Sequence, residues 1–133
     1  MGQPAAKMND SVVGVDIHIV LVPSPGGPVP TPGPHPFSGM ITGACSTNVL
    51  IEGQPAAMVG STATNTSPHL PIPPAGTFQM PPTNTGTVMG PGSPTVLINN
   101  QPAAHVGDPV QTCNDPAPAP TCNIVGASTV LIA

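Results

Sequence analysis

An all-β fold is predicted, three β-hairpin repeats around an axis, whose long Pro-rich loops converge to one side. Three observations predict it. Gln-Pro-Ala-Ala occurs three times in 133 residues, at Gln3 to Ala6, Gln54 to Ala57 and Gln101 to Ala104. A β-branched run precedes the second copy (Thr47 to Gly53) and the third (Thr95 to Asn100), and a fixed period of this kind is the mark of a repeat architecture. The chain also holds 22 Pro and 15 Gly with no Trp or Tyr and two Phe, a composition that favours turns and extended segments over helices.

The unit is strand, turn, Gln-Pro-Ala-Ala, and one domain over residues 1–133 divides into units near 3–53, 54–100 and 101–133. The first motif has no strand before it, and the last strand, Thr129 to Ala133, has no motif after it. The cut therefore falls inside a unit, and the final strand should lie beside the first residues and close a ring.

Asn48 to Ile51, Thr95 to Ile98 and Thr129 to Ile132 are predicted strands, each entered from a small-residue turn. Glu52-Gly53 and Asn99-Asn100 suit tight hairpin turns. That makes Ala-Ala-Met-Val-Gly and Ala-Ala-His-Val-Gly the return strands. Asp16 to Val22 is a further candidate strand. Between hairpins, Pro23 to Pro36, Pro68 to Pro82 and Asp115 to Thr121 read as stiff extended loops, because Pro fixes φ and donates no ladder bond.

Charge excludes one class of partner. Lys7 is the only basic residue and the formal net charge is −4, so the chain cannot neutralise phosphates and nucleic acid is excluded as a ligand. Met1 leads straight into the first unit, with neither signal peptide nor apolar run of membrane-spanning length. Cytoplasmic synthesis is expected, with Cys45, Cys113 and Cys122 as thiols. So few aromatics cannot build a thick core, and small folds short of core recruit a staple.

Superposing the motifs supplies candidates for that staple. A shift of 51 positions carries His18 onto His69; the next shift, of 47, carries His69 onto Pro116, with Cys113 and Cys122 nearby. His35 lies in the Pro-rich loop of the first unit. Three imidazoles and one thiolate form a closed tetrahedral set suited to Zn²⁺, with Fe second. Solvated loop histidines are the plain alternative. Cys113 is preferred to Cys122 as nearer the equivalent position, although Cys122 could replace it or bridge to it. His105 aligns with Lys7 and Met58 after Ala-Ala, where a surface or partner-facing role is expected, and Cys45 aligns with Gly92 and Gly126 and should pack as a small residue.

Gly-Ser-Pro-Thr-Val-Leu-Ile-Asn-Asn followed by Gln-Pro-Ala-Ala-His-Val-Gly-Asp resembles the PAAR-repeat family, whose members tip the spike of contractile injection systems such as type VI secretion. The resemblance implies a small cone with pseudo-threefold symmetry, docked by a triangular base on a trimeric VgrG-type spike, and a point held by zinc through three His and one Cys. Here those are His18, His35, His69 and Cys113. The motif's Arg is replaced by Lys7, Met58 and His105.

The expected function is mechanical: a monomeric cap that sharpens a homotrimeric spike, docking through Val49, Leu50, Ile51, Val96, Leu97, Ile98, Val130, Leu131 and Ile132. It would contact the target membrane transiently, help attach effector proteins, and be ejected with the spike. A Pro-rich adaptor for effector loading is the alternative. An enzyme is not expected, because the five carboxylates form no zinc-hydrolase motif.

Overall fold

The computed structural model describes residues 2–133. Thirteen strands follow one another without a helix among the described residues: β1 (Gln3–Pro4), β2 (Ser11–Val22), β3 (Val29–Gly43), β4 (Leu50–Ile51), β5 (Gln54–Pro55), β6 (Thr62–Asn65), β7 (Thr77–Phe78), β8 (Thr85–Val88), β9 (Leu97–Ile98), β10 (Gln101–Pro102), β11 (Pro109–Thr112), β12 (Ala119–Val125) and β13 (Leu131–Ile132). Six of them form a closed antiparallel barrel in the order β2, β3, β6, β8, β11, β12 and back to β2. Each unit contributes one pair. Closure removes the open sheet edges that short strands would otherwise expose.

The return strands expected over Ala-Ala-Met-Val-Gly and Ala-Ala-His-Val-Gly end at the first Ala: Ala56 N–H still bonds Val49 O (2.9 Å) and Ala103 N–H bonds Val96 O (3.0 Å), and the second Ala of each motif crosses to its neighbours. Ala6 N–H donates to Ala104 O (2.9 Å), Ala104 N–H to Ala57 O (3.1 Å) and Ala57 N–H to Ala6 O (3.0 Å). The three bonds form a cycle in which each motif stands in the same relation to the next. A second cycle flanks it, from Met8 to Pro55, Val59 to Pro102 and Val106 to Pro4. Only small side chains fit so close an approach, and all six motif alanines are fully buried. Ala5, Ala56 and Ala103 face a basal cluster with Ile51 and Ile98, whereas Ala6, Ala57 and Ala104 face the barrel core with Val12, Phe37, Ile41, Val88, Val110 and Ile124. The motifs thus form a floor between two cores.

After each motif the chain turns sharply. Asp10, Ser61 and Asp108 each accept a side-chain bond from the backbone N–H three residues earlier (2.9, 3.0 and 2.7 Å), and Asn9, Gly60 and Gly107 take positive φ. Asn and Gly are the residues that tolerate this conformation.

The expected juxtaposition of the chain's ends is present. β1 and β13 pair antiparallel, Gln3 with Ile132 and Pro4 with Leu131, making the third basal hairpin beside β4–β5 and β9–β10. Ile51 and Ile98 point inward (4% and 6% exposed), so of the residues expected to dock a partner they are unavailable.

The largest departure from expectation is Pro23 to Pro36. Most of it is strand β3, paired with β2 over twelve consecutive positions from Ser11↔Met40 to Val22↔Val29. Ile41 N–H bonds Asp10 O on the β2 side, while Ser38 N–H bonds Asn65 Oδ1 on the other. Pro30, Pro32, Pro34 and Pro36 share the parity of Ser38, so every missing N–H falls on the edge away from β2, where no ladder bond is lost. Asp115 to Thr121 likewise enters β12 at Ala119, and Pro68 to Pro82 holds the short β7 against Val20 and Leu21.

β3 and β6 approach closely at Gly39, where a Cβ would fall on the Thr64 carbonyl oxygen. Gly39→Ala should lower stability by about 1–3 kcal/mol, read as a lower urea midpoint at unchanged slope; an unchanged midpoint would show that the barrel wall yields there.

Candidate metal centre

β2 alternates, and its inward face carries Asp16, His18 and Val20, each at most 1% exposed, against exposed Val15 and Ile17. Strand register sets His35 of β3 opposite Asp16. His69 follows β6 in a loop fixed by its own N–H to Asn84 Oδ1 (2.8 Å). Cys113 follows β11 directly, and its loop is laced to the β2 edge: Ile17 N–H to Asn114 Oδ1 (2.6 Å), Ile19 N–H to Asp115 Oδ2 (3.1 Å) and Asp115 N–H to Ile17 O (2.7 Å).

These elements bring the predicted residues together. The His18 ring lies 4.7 Å from that of His69 and 5.3 Å from that of His35, with His35 and His69 5.9 Å apart. Cys113 Sγ is 3.9 Å from His18 Nε2. One donor from each of Asp16, His18, His69 and Cys113 lies within 4.8 Å of all the others. This buried cluster could hold a metal ion. His35 lies outside that mutual set and Asp16, absent from the sequence-derived ligands, lies inside it. Asp-x-His on a candidate strand puts both side chains on one face, and that was the available signal for Asp16.

The histidines are held in defined tautomers. His35 Nδ1 bonds Gly33 O (2.9 Å); a carbonyl only accepts, so Nδ1 carries the proton and Nε2 a lone pair. That Nε2 is buried without a hydrogen-bond partner. His18 Nδ1 faces Asp115 Oδ2 (3.3 Å), directing its Nε2 towards Cys113. A carboxylate or carbonyl on the far ring nitrogen is how metal-binding imidazoles are oriented. A buried, unpartnered lone pair beside two further imidazoles fits a cation.

Burial pushes the Asp16 carboxyl upward, but bonds from Thr112, Thr121, His69 and Cys113 outweigh it and hold the group below the ordinary carboxylate value. Burial lowers His69, a shift that its bond to Asp16 does not cancel, and raises the Cys113 thiol. A bound cation would favour the thiolate instead.

The remaining candidates lie elsewhere. Cys122 is fully buried in the barrel core, with Sγ 3.7 Å from Thr112 Oγ1, and all three cysteines are free. Cys45 packs against the same core. His105 is not a surface residue: it is 7% exposed, with Nδ1 3.2 Å from Asp108 Oδ2 and Nε2 2.6 Å from Ala133 O. Lys7 does the equivalent work one unit away, donating to Asp10 Oδ1 (3.0 Å) and Ala127 O (2.8 Å). At Lys7 and His105 the position after Ala-Ala thus ties the floor to the C-terminal segment.

The chain is thus a closed β barrel with a floor of Pro-Ala-Ala motifs and a buried His/Cys/Asp cluster. The PAAR motif family model matches residues 79–133, so the C-terminal part of the chain is similar to the PAAR motif family. No curated protein matches the chain.

Two outcomes are expected. Cys113→Ser should lose bound metal and melt at a lower temperature, near that of chelator-treated wild type, whereas Cys122→Ser should keep its metal. In chelator-treated protein, His69 and Asp16 both have folded-state values depressed below their ordinary ones, 6.5 and 3.8. Unfolded chains then bind the extra protons, so stability present above each value is lost as pH falls through it. Melting temperature should decline first below about pH 6.5 and again below about pH 3.8, and His69→Asn should flatten the first decline.

Proposed function

We propose that this protein is the membrane-piercing tip that caps and sharpens the trimeric VgrG-type spike of a contractile injection system. The observation that carries the reading is at the base. Leu50, Leu97 and Leu131, one on each basal hairpin, are 60%, 63% and 61% exposed. Val49 and Val130 are exposed beside two of them. A single chain offering nearly the same apolar edge three times around a ring suits a homotrimeric partner, and burying each leucine would contribute about 1.5–3 kcal/mol.

The opposite end supports the piercing role. Residues 17–43, which make most of the β2–β3 arm, contain no Asp, Glu, Lys or Arg, and the arm's ladder is continuous to its turn. Zinc, ahead of iron, held by His18, His35, His69 and Cys113, would pin the loops after β6 and β11 onto this arm; when bound it supplies cross-linking, not reactivity. The chain is made in the cytoplasm, loaded on the spike together with effector proteins, and ejected with it. A Pro-rich adaptor is disfavoured, because Pro30 to Pro36 are committed to β3 and not free to enter a polyproline groove.

Co-purification with a candidate spike trimer tests the reading. Leu50→Asp, Leu97→Asp or Leu131→Asp alone should weaken capture about tenfold or more, and the triple variant should abolish it while keeping wild-type metal content. Undiminished capture by the triple variant would remove the docking surface.

A further inference from the structure

The geometry assigns Asp16 as a direct ligand of the metal, through Oδ2. This inference rests on the reading of the cluster as a metal centre. Asp16 is fully buried, and its two oxygens are used differently. Oδ1 accepts from the hydroxyls of Thr112 and Thr121, the latter at 2.6 Å. Oδ2 faces His69 Nε2 at 3.1 Å and Cys113 Sγ at 3.6 Å. A carboxylate that ligates through one oxygen has its other oxygen held by such outer donors.

The spacings fit donors around one ion. With bonds of about 2.0–2.3 Å, neighbouring ligand atoms of a tetrahedral zinc site lie roughly 3.3–3.8 Å apart. The observed separations of 3.1, 3.6 and 3.9 Å, along Asp16 Oδ2 to His69, Asp16 Oδ2 to Cys113 and Cys113 to His18, bracket that range. The last is long for a hydrogen bond, even to sulfur.

Charge points the same way. A buried carboxylate needs a cation. Lys7 is the only basic residue, and it is engaged by Asp10 at 3.0 Å. A divalent ion with one thiolate and one carboxylate is neutral, whereas three imidazoles and a thiolate leave a buried net charge of +1.

Cobalt(II) loading of the full chain tests the assignment. In Asp16→Cys, a second thiolate in the coordination sphere should roughly double the sulfur-to-cobalt charge-transfer absorption; intensity equal to wild type would overturn the assignment. Asp16→Asn, which preserves shape, should shift the ligand-field bands and weaken cobalt binding by more than Thr121→Val, for which about 10–100-fold is expected. Unshifted bands, with or without weaker binding, would place Asp16 outside the coordination sphere and overturn it. If wild type itself takes up neither cobalt nor zinc, the metal centre fails and Asp16 with it; uptake by wild type with an insensitive Asp16 refutes this inference alone.

Discussion

The cycle of backbone bonds among Ala6, Ala57 and Ala104 is the constraint on which the remaining structure depends. Three peptide units meet face to face around one axis, each donating to one neighbour and accepting from the other. That closeness requires methyl side chains, which is the physical content of the repeated Pro-Ala-Ala. It also fixes where everything else must go: the strands before each motif fall to one side as basal hairpins, and those after it rise on the other as barrel staves.

A six-stranded barrel of this size has little interior. Four-residue staves such as Thr62–Asn65, Thr85–Val88 and Pro109–Thr112 bury only one or two side chains each. Above them only the β2–β3 arm continues, and the loops carrying His69 and Cys113 lean on it. With few apolar residues to hold those loops, polar groups take over: Asn84, Asn114 and Asp115 satisfy backbone N–H groups, and the two phenylalanines sit against imidazoles rather than one another. Such a region gains most from an ion that several loops share.

Much of this was legible in the sequence. The repeat and its cut position imply the β1–β13 pairing, and the motif shift carries His18 onto His69, whose rings lie 4.7 Å apart. Three things were obscured. Prolines at 30, 32, 34 and 36 resemble a polyproline loop by composition, yet their period of two matches a strand whose imide nitrogens all face one open edge. Staves such as Thr-Ala-Thr-Asn and Thr-Gly-Thr-Val are four residues long and lack the large apolar side chains that mark a strand, because neighbours across a tight barrel exclude bulk. Asp16 passed unnoticed because the repeats do not duplicate it; its partners Thr112 and Thr121 lie about a hundred residues away and meet it only through barrel closure between β12 and β2.

The account joins a hydrogen-bonded floor at one end to an ion at the other. Crystals of the protein purified with zinc, measured on both sides of the zinc absorption edge, test it most directly. The account predicts one anomalous peak inside the barrel, in contact with His18, His69 and Cys113. A peak only at the surface, or none in zinc-saturated crystals, would contradict it.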